Sequence, residues 1–129
     1  MEKYSFSGKN VMLTGASGGL GSALVRDLAK MGANLVVVSR SIKALNELIS
    51  KLPETTRAVP ITADLSIPGE AEILSKNALE AFGYIDALFN IAGIGYFALM
   101  EEATEKNLRH LFEVNTFSPL ALIKSLLPQ

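Results

Sequence analysis

The segment Thr14-Gly15-Ala16-Ser17-Gly18-Gly19-Leu20-Gly21 constrains the fold of this chain more than any other. It follows the apolar run Val11-Met12-Leu13 and precedes a stretch in which Leu20, Leu24, Leu28 and Met31 recur at helical spacing. A short buried strand, a tight glycine loop and a helix are the reading, with Gly32 placed to end the helix. Gly15 would let the backbone turn sharply, Gly19 would let it approach a bound group, and Gly21 would let helix and strand pack closely. Free N–H groups at the start of that helix would face an anion such as a pyrophosphate, with Gly18 and the Ser17 hydroxyl beside them. Position 24 is Leu, so the strict G-x-G-x-x-G pattern fails, and no Gly-Lys-Ser/Thr follows to make a phosphate loop of the ATPase kind. The pattern present is G-x-x-x-G-x-G.

Strand-like and helix-like segments then alternate. Leu35-Val36-Val37-Val38 is a β-branched apolar run suited to a strand covered on both faces. Ser41 would cap a helix that packs through Leu45, Leu48, Ile49 and Leu52 and stops at Pro53. Residues 58–63 read as a third strand, and Pro60 assigns it to an edge. Ser66-Ile67-Pro68 would open a third helix, with Ile73, Leu74, Ala78 and Ala81 inward and Gly83 at its end. Residues 85–91 form the fourth strand, and a long last helix runs from near Glu105 toward Leu127. This β-α-β-α-β-α-β-α order predicts one α/β domain over residues 1–129, a Rossmann-like parallel sheet with helices on both faces. The connection from Gly93 to about Thr104 leaves the carboxyl end of a strand, where such sheets bind ligands.

Composition narrows the function. Twelve basic and thirteen acidic residues give a net charge of −1, so there is no excess positive charge to hold a nucleic acid. The chain has no Cys and a single His, which removes the ligand sets of structural zinc and iron–sulfur centres and leaves no metal site to assign. No apolar run approaches the roughly 20 residues of a membrane span, and the stretch Met1 to Phe6 lacks a signal-peptide core. A soluble cytoplasmic protein is the expectation. Charged residues make up only 19%, against about 25% in ordinary domains, so more of the surface than usual is expected to be either buried or awaiting a partner.

The glycine segment resembles the coenzyme loop of the classical short-chain dehydrogenase/reductase family, and three later positions agree with it in order. Asp64, with Leu65 beside it, matches the acidic residue that hydrogen-bonds adenine in that family. Asn90-Ile91-Ala92-Gly93 matches an Asn-Asn-Ala-Gly stretch, with Ile91 in the second place. Asn115 falls where the family keeps an Asn of its catalytic tetrad, which holds a proton-relay water through its backbone carbonyl. Pro119, lacking an N–H, would free that carbonyl. By its place beside Leu111, Pro119 and Leu122, Asn115 is expected on the buried stripe of its helix, and the Asn90 amide is expected to be satisfied by neighbouring backbone. The resemblance implies a sheet of order 3-2-1-4 here, stopping before the family's fifth strand.

The second strand ends in Ser39-Arg40, where relatives that prefer NAD carry an acidic residue. Arg40 could pair with a 2′-phosphate through its guanidinium fork, and Ser39 could add a hydroxyl, so NADP is expected over NAD. The family's hydride transfer between nicotinamide and a carbonyl or alcohol uses a Ser and a Tyr-x-x-x-Lys motif. Tyr4, Tyr84 and Tyr96 are followed four residues later by Gly8, Leu88 and Met100, so none forms that motif. The expectation is therefore a coenzyme-binding half, inactive alone, whose uncovered sheet edge meets a second copy or a missing carboxy-terminal half. The alternative is a non-catalytic nucleotide-binding or interaction module. His110, lacking a carboxylate at useful spacing, reads as a surface or interface histidine, and Glu101, Glu102 and Glu105 as a solvated helix start.

Overall fold

In a computed structural model, which describes residues 4–128, four parallel strands form one sheet in the order β3-β2-β1-β4. The strands are β1 (Asn10–Thr14), β2 (Asn34–Ser39), β3 (Ala58–Thr62) and β4 (Ala87–Asn90). Met1 to Lys3, part of the stretch read above for targeting, and Gln129 lie outside the described residues. The helices are α1 (Gly19–Lys30), α2 (Ile42–Ile49), α3 (Glu70–Phe82), α4 (Glu105–Phe112) and α5 (Ser118–Leu126). The expected order and edge assignment hold: Pro60 pairs with Val37 on the outermost strand, where its missing N–H leaves no ladder bond unmade.

The strict alternation of side chains along β1 and β2 divides the core in two. Val11, Leu13, Leu35 and Val37 face α1 and α2, meeting Val25, Leu28, Leu45 and Leu48. Met12, Val36 and Val38 face the other side and meet Ala71, Leu74 and Ala78 of α3 and Leu122 and Leu126 of α5. Burying an aliphatic side chain as completely as Met12, Leu35, Leu74 or Leu122 is worth about 1.5–3 kcal/mol. The two faces are what hold the central strands so deeply.

Several details depart from the sequence reading. In α1 the buried face is Gly21, Val25, Leu28 and Ala29, whereas Leu20 and Met31 are exposed. The close approach at Gly21 rotates the helix so that Leu20 stands out at its start. Helix α3 begins at Glu70 behind Gly69 (φ 91°), because the Ser66 side chain and N–H turn back to Asp64 and do not cap the helix. Ile73 consequently lies outside and Leu74 inside.

The expected long last helix is interrupted by a π turn, Glu113–Phe117, between α4 and α5. Pro119 offers no N–H to the Asn115 carbonyl, and the Ser118 N–H reaches the Glu113 carbonyl, five residues back. This extra residue rephases the helix: Val114, Ser118, Leu122 and Leu126 turn inward, and Asn115 is exposed rather than on the buried stripe.

Candidate functional site

A cleft of about 510 Å³ opens at the carboxyl ends of the strands. Gly15, Ser17, Gly18, Gly19, Leu20 and Gly21 line it from the β1–α1 loop, Ser39 and Arg40 from the end of β2, Asp64 and Leu65 from the end of β3, and Ala92 and Gly93 from the end of β4. Parallel strands bring all of these loops to one end, which is why residues far apart in sequence share one wall.

The glycine loop is built for close approach. Gly15 adopts φ 69°, and a Cβ there would stand 2.7 Å from the Ala92 nitrogen, so only glycine fits between β1 and the loop after β4. A Cβ on Gly21 would overlap the Gly15 carbonyl oxygen. A Cβ on Gly19 would meet nothing within 4 Å, so this position faces open space. Helices α2 and α4 are capped by the Ser41 and Thr104 hydroxyls, which accept from the Ala44 and Asn107 N–H groups. Helix α1 starts behind Gly18 with no side-chain cap, leaving its first-turn amides and dipole directed at the cleft. The Ala16 N–H donates to the Val38 carbonyl at 2.9 Å and fixes the loop over β2.

The far end of the cleft carries the charge. Arg40 is exposed, and no carboxylate lies within ion-pair distance of it among the described residues. The Asp64 carboxylate accepts from the Ser66 hydroxyl at 2.6 Å and the Ser66 N–H at 3.0 Å, both through Oδ1. These bonds, with smaller help from the charges of Arg40 and His110, hold its carboxyl below the usual range against the opposing effect of burial. The Ser39 hydroxyl bridges locally, accepting from the Ser41 N–H at 3.2 Å and donating to the Ser41 carbonyl at 3.3 Å.

Asn90 and Asn115 do not line the cleft but stand behind it. Asn115 clamps Ile94: its Oδ1 accepts from the Ile94 N–H at 2.9 Å and its Nδ2 donates to the Ile94 carbonyl at 2.8 Å. The Ala92 N–H donates to the Thr14 hydroxyl at 3.2 Å, tying the same loop to β1. The expected satisfaction of the Asn90 amide is not complete, since its buried Oδ1 has no partner among the described residues.

His110 is exposed, as a surface histidine is expected to be, and stands on α4 at the wall of the cleft together with Val114, one helical turn on. The i, i+4 spacing of the two residues was the available signal; the crossing of α4 over the strand ends was not. Among the described residues no group of His, Asp and Glu is arranged to hold a metal ion, and no helix is long and apolar enough to cross a membrane.

The comparisons with known proteins agree with this geometry. Residues 9–129 match the short chain dehydrogenase family. The chain belongs to that family. Its relatives include dehydrogenase/reductase SDR family member 7B of Mus musculus, 37% identical over 123 residues, which covers 92% of this chain and 38% of that protein. Among solved structures, a short-chain dehydrogenase/reductase from Brucella melitensis superposes with a TM-score of 0.89 at 31% identity, covering 98% of this chain and 54% of the other. The L-sorbose reductase of Gluconobacter frateurii, solved with NADPH and L-sorbose, gives a TM-score of 0.90 at 29% identity over 96% of this chain and 48% of that one. The chain thus spans about half the length, or less, of the family members it matches.

Proposed function

We propose that this chain is the coenzyme-binding half of a short-chain dehydrogenase/reductase and that it takes NADP(H) in preference to NAD(H). The observation that carries the reading is Arg40: a guanidinium on the cleft wall, exposed and without an ion-pair partner among the described residues, at the end of β2. A 2′-phosphate is a dianionic group suited to its donor fork, and an acidic residue at this position would repel it. The cleft fits the rest of the dinucleotide. The open face of Gly19 and the uncapped start of α1 suit a pyrophosphate, and Asp64 has Oδ2 left to accept from an adenine amine. The NADPH found with the sorbose reductase supports the same assignment.

Bound nicotinamide supplies the hydride exchanged with a carbonyl or alcohol. This chain's own residues bind and orient: the glycine loop approaches the phosphates, Asn115 braces the loop at Ile94, and Pro119 leaves the Asn115 carbonyl free to hold a water. None of its tyrosines is followed by Lys at the fourth position, so the groups that exchange the substrate proton are expected from a further segment covering β4. Binding without turnover is the expected behaviour of this chain by itself.

Titration with NADPH and NADH, followed by coenzyme fluorescence, tests the proposal. Arg40→Ala should weaken NADPH about 10-fold and leave NADH nearly unchanged. Equal affinities before and after the substitution would refute the NADP assignment, and no binding of either coenzyme would favour a non-catalytic interaction module.

A further inference from the structure

Both loops that form the cleft's lips, after β3 and after β4, are held by the broken helix that passes behind them. Asn115 takes the β4 side. Ser118, at the start of α5, takes the β3 side and does not itself line the cleft. It is only 2% exposed, and its hydroxyl donates to the Leu65 carbonyl at 2.6 Å. Glu113 Oε1 lies 3.4 Å from the same Oγ, and the single hydroxyl proton goes to the much shorter contact.

The Leu65 carbonyl and the Ser66 N–H belong to one peptide unit, planar and trans, in which they point in opposite directions. That N–H donates to Asp64 Oδ1. The Ser118 hydroxyl, the 65–66 peptide and the Asp64 carboxylate therefore form a continuous hydrogen-bonded chain from the buried face of α5 to the wall of the cleft. Fixing the carbonyl end of a rigid plane fixes its N–H end, and each bond in such a chain polarises the next. The π turn makes this possible, because its extra residue turns Ser118 inward.

We infer that Ser118 is a positioning residue for Asp64: through the Leu65–Ser66 peptide it sets where the carboxylate stands, and so the hydrogen bond Asp64 offers the adenine end of a coenzyme. The ligand half of this statement rests on the coenzyme reading above; the positioning half stands without any ligand.

The test uses Ser118→Ala and Ser118→Cys, the second keeping nearly the same volume with a much weaker donor. In the ligand-free chain, the Asp64 carboxyl followed by carbon NMR should titrate at higher pH in both variants, toward the ordinary carboxylate range. NADPH affinity should fall about 3- to 10-fold. On an Asp64→Asn background the same substitutions should change it less than about 2-fold, since the group being positioned has lost its charge. A merely structural role would lower affinity equally on both backgrounds, and that additivity would overturn the inference, as would an unmoved Asp64 titration. If the unaltered chain binds no NADPH, the coenzyme reading fails while the Asp64 titration still decides the positioning.

Discussion

Single residues in this chain divide into those that shape the cleft and those that would touch what it holds, and the glycines separate the two. Gly21→Ala puts a methyl group into the Gly15 carbonyl, with backbone on both sides and no flexible side chain to give way. It should destabilise the fold by about 3 kcal/mol, the upper end for overpacked sites, as a lowered thermal midpoint. Gly19→Ala meets open space in the first turn of α1, so stability should hold or rise by up to about 1 kcal/mol. Its methyl group would nevertheless stand where a pyrophosphate approaches, and NADPH titration should show weakened binding in a fully folded variant. Asp64 gives the pH dependence. Its folded-state carboxyl is lowered from 3.8, so the stability it contributes is complete above that value and lost as pH falls through the lowered one. Denaturant melts of the chain and of Asp64→Asn should therefore differ near neutral pH and converge at acid pH, below about pH 4. A constant gap across that range would contradict the assigned cause.

At the scale of elements, sequence patterns located the strands well because each is a short apolar run ending in a turn signal. Helix faces were less legible. The Leu20 to Met31 spacing is genuine, but tertiary contact at Gly21 decided which side of α1 is buried. Ser66-Ile67-Pro68 has the composition of a helix start, yet Ser66 turns its hydroxyl back onto the Asp64 carboxylate, its oxygen accepts no helix N–H, and α3 begins only at Glu70 behind Gly69. Pro119 announced a freed carbonyl at Asn115 but not the form of the defect. An ordinary kink and a π turn remove the same bond; only the π turn places Asn115 and Ser118 on the two loops of the cleft. The lining of the cleft was therefore readable where backbone chemistry dictates residue type, as at Gly15 and Gly21, reachable at Asp64 only through the family resemblance, and unreadable where packing aims a side chain, as at His110 and Ser118. Asn115→Ala tests the element-scale role. Losing both bonds to Ile94 at an exposed position should cost about 1 kcal/mol in stability and speed amide exchange at Ile94 more than in α1 or α3.

For the whole molecule, the decisive feature is an asymmetric sheet. Its β3 edge ends in a strand containing Pro60, which interrupts pairing by a neighbour, whereas β4 presents an edge with no such protection. Beside β4 lies a groove of about 590 Å³ walled by Leu88, Ile123, Leu126 and Leu127, and Phe117 in the π turn and Leu120 on α5 are further exposed apolar side chains. A strand edge flanked by exposed apolar side chains drives association, and what meets it in a relative twice as long is expected to be further chain. Alone, the chain should associate with rising concentration. Ile123→Lys combined with Leu127→Lys replaces two exposed side chains, 42% and 75% accessible, so the fold should lose no more than about 0.5 kcal/mol per site. Two added positive charges on that face should shift sedimentation toward monomer at concentrations where the unaltered chain self-associates. The same charge change placed on the far side, by Glu47→Lys on the exposed side of α2, should leave association unchanged, and equal effects from both faces would mean that net charge, not the β4 side, governs it.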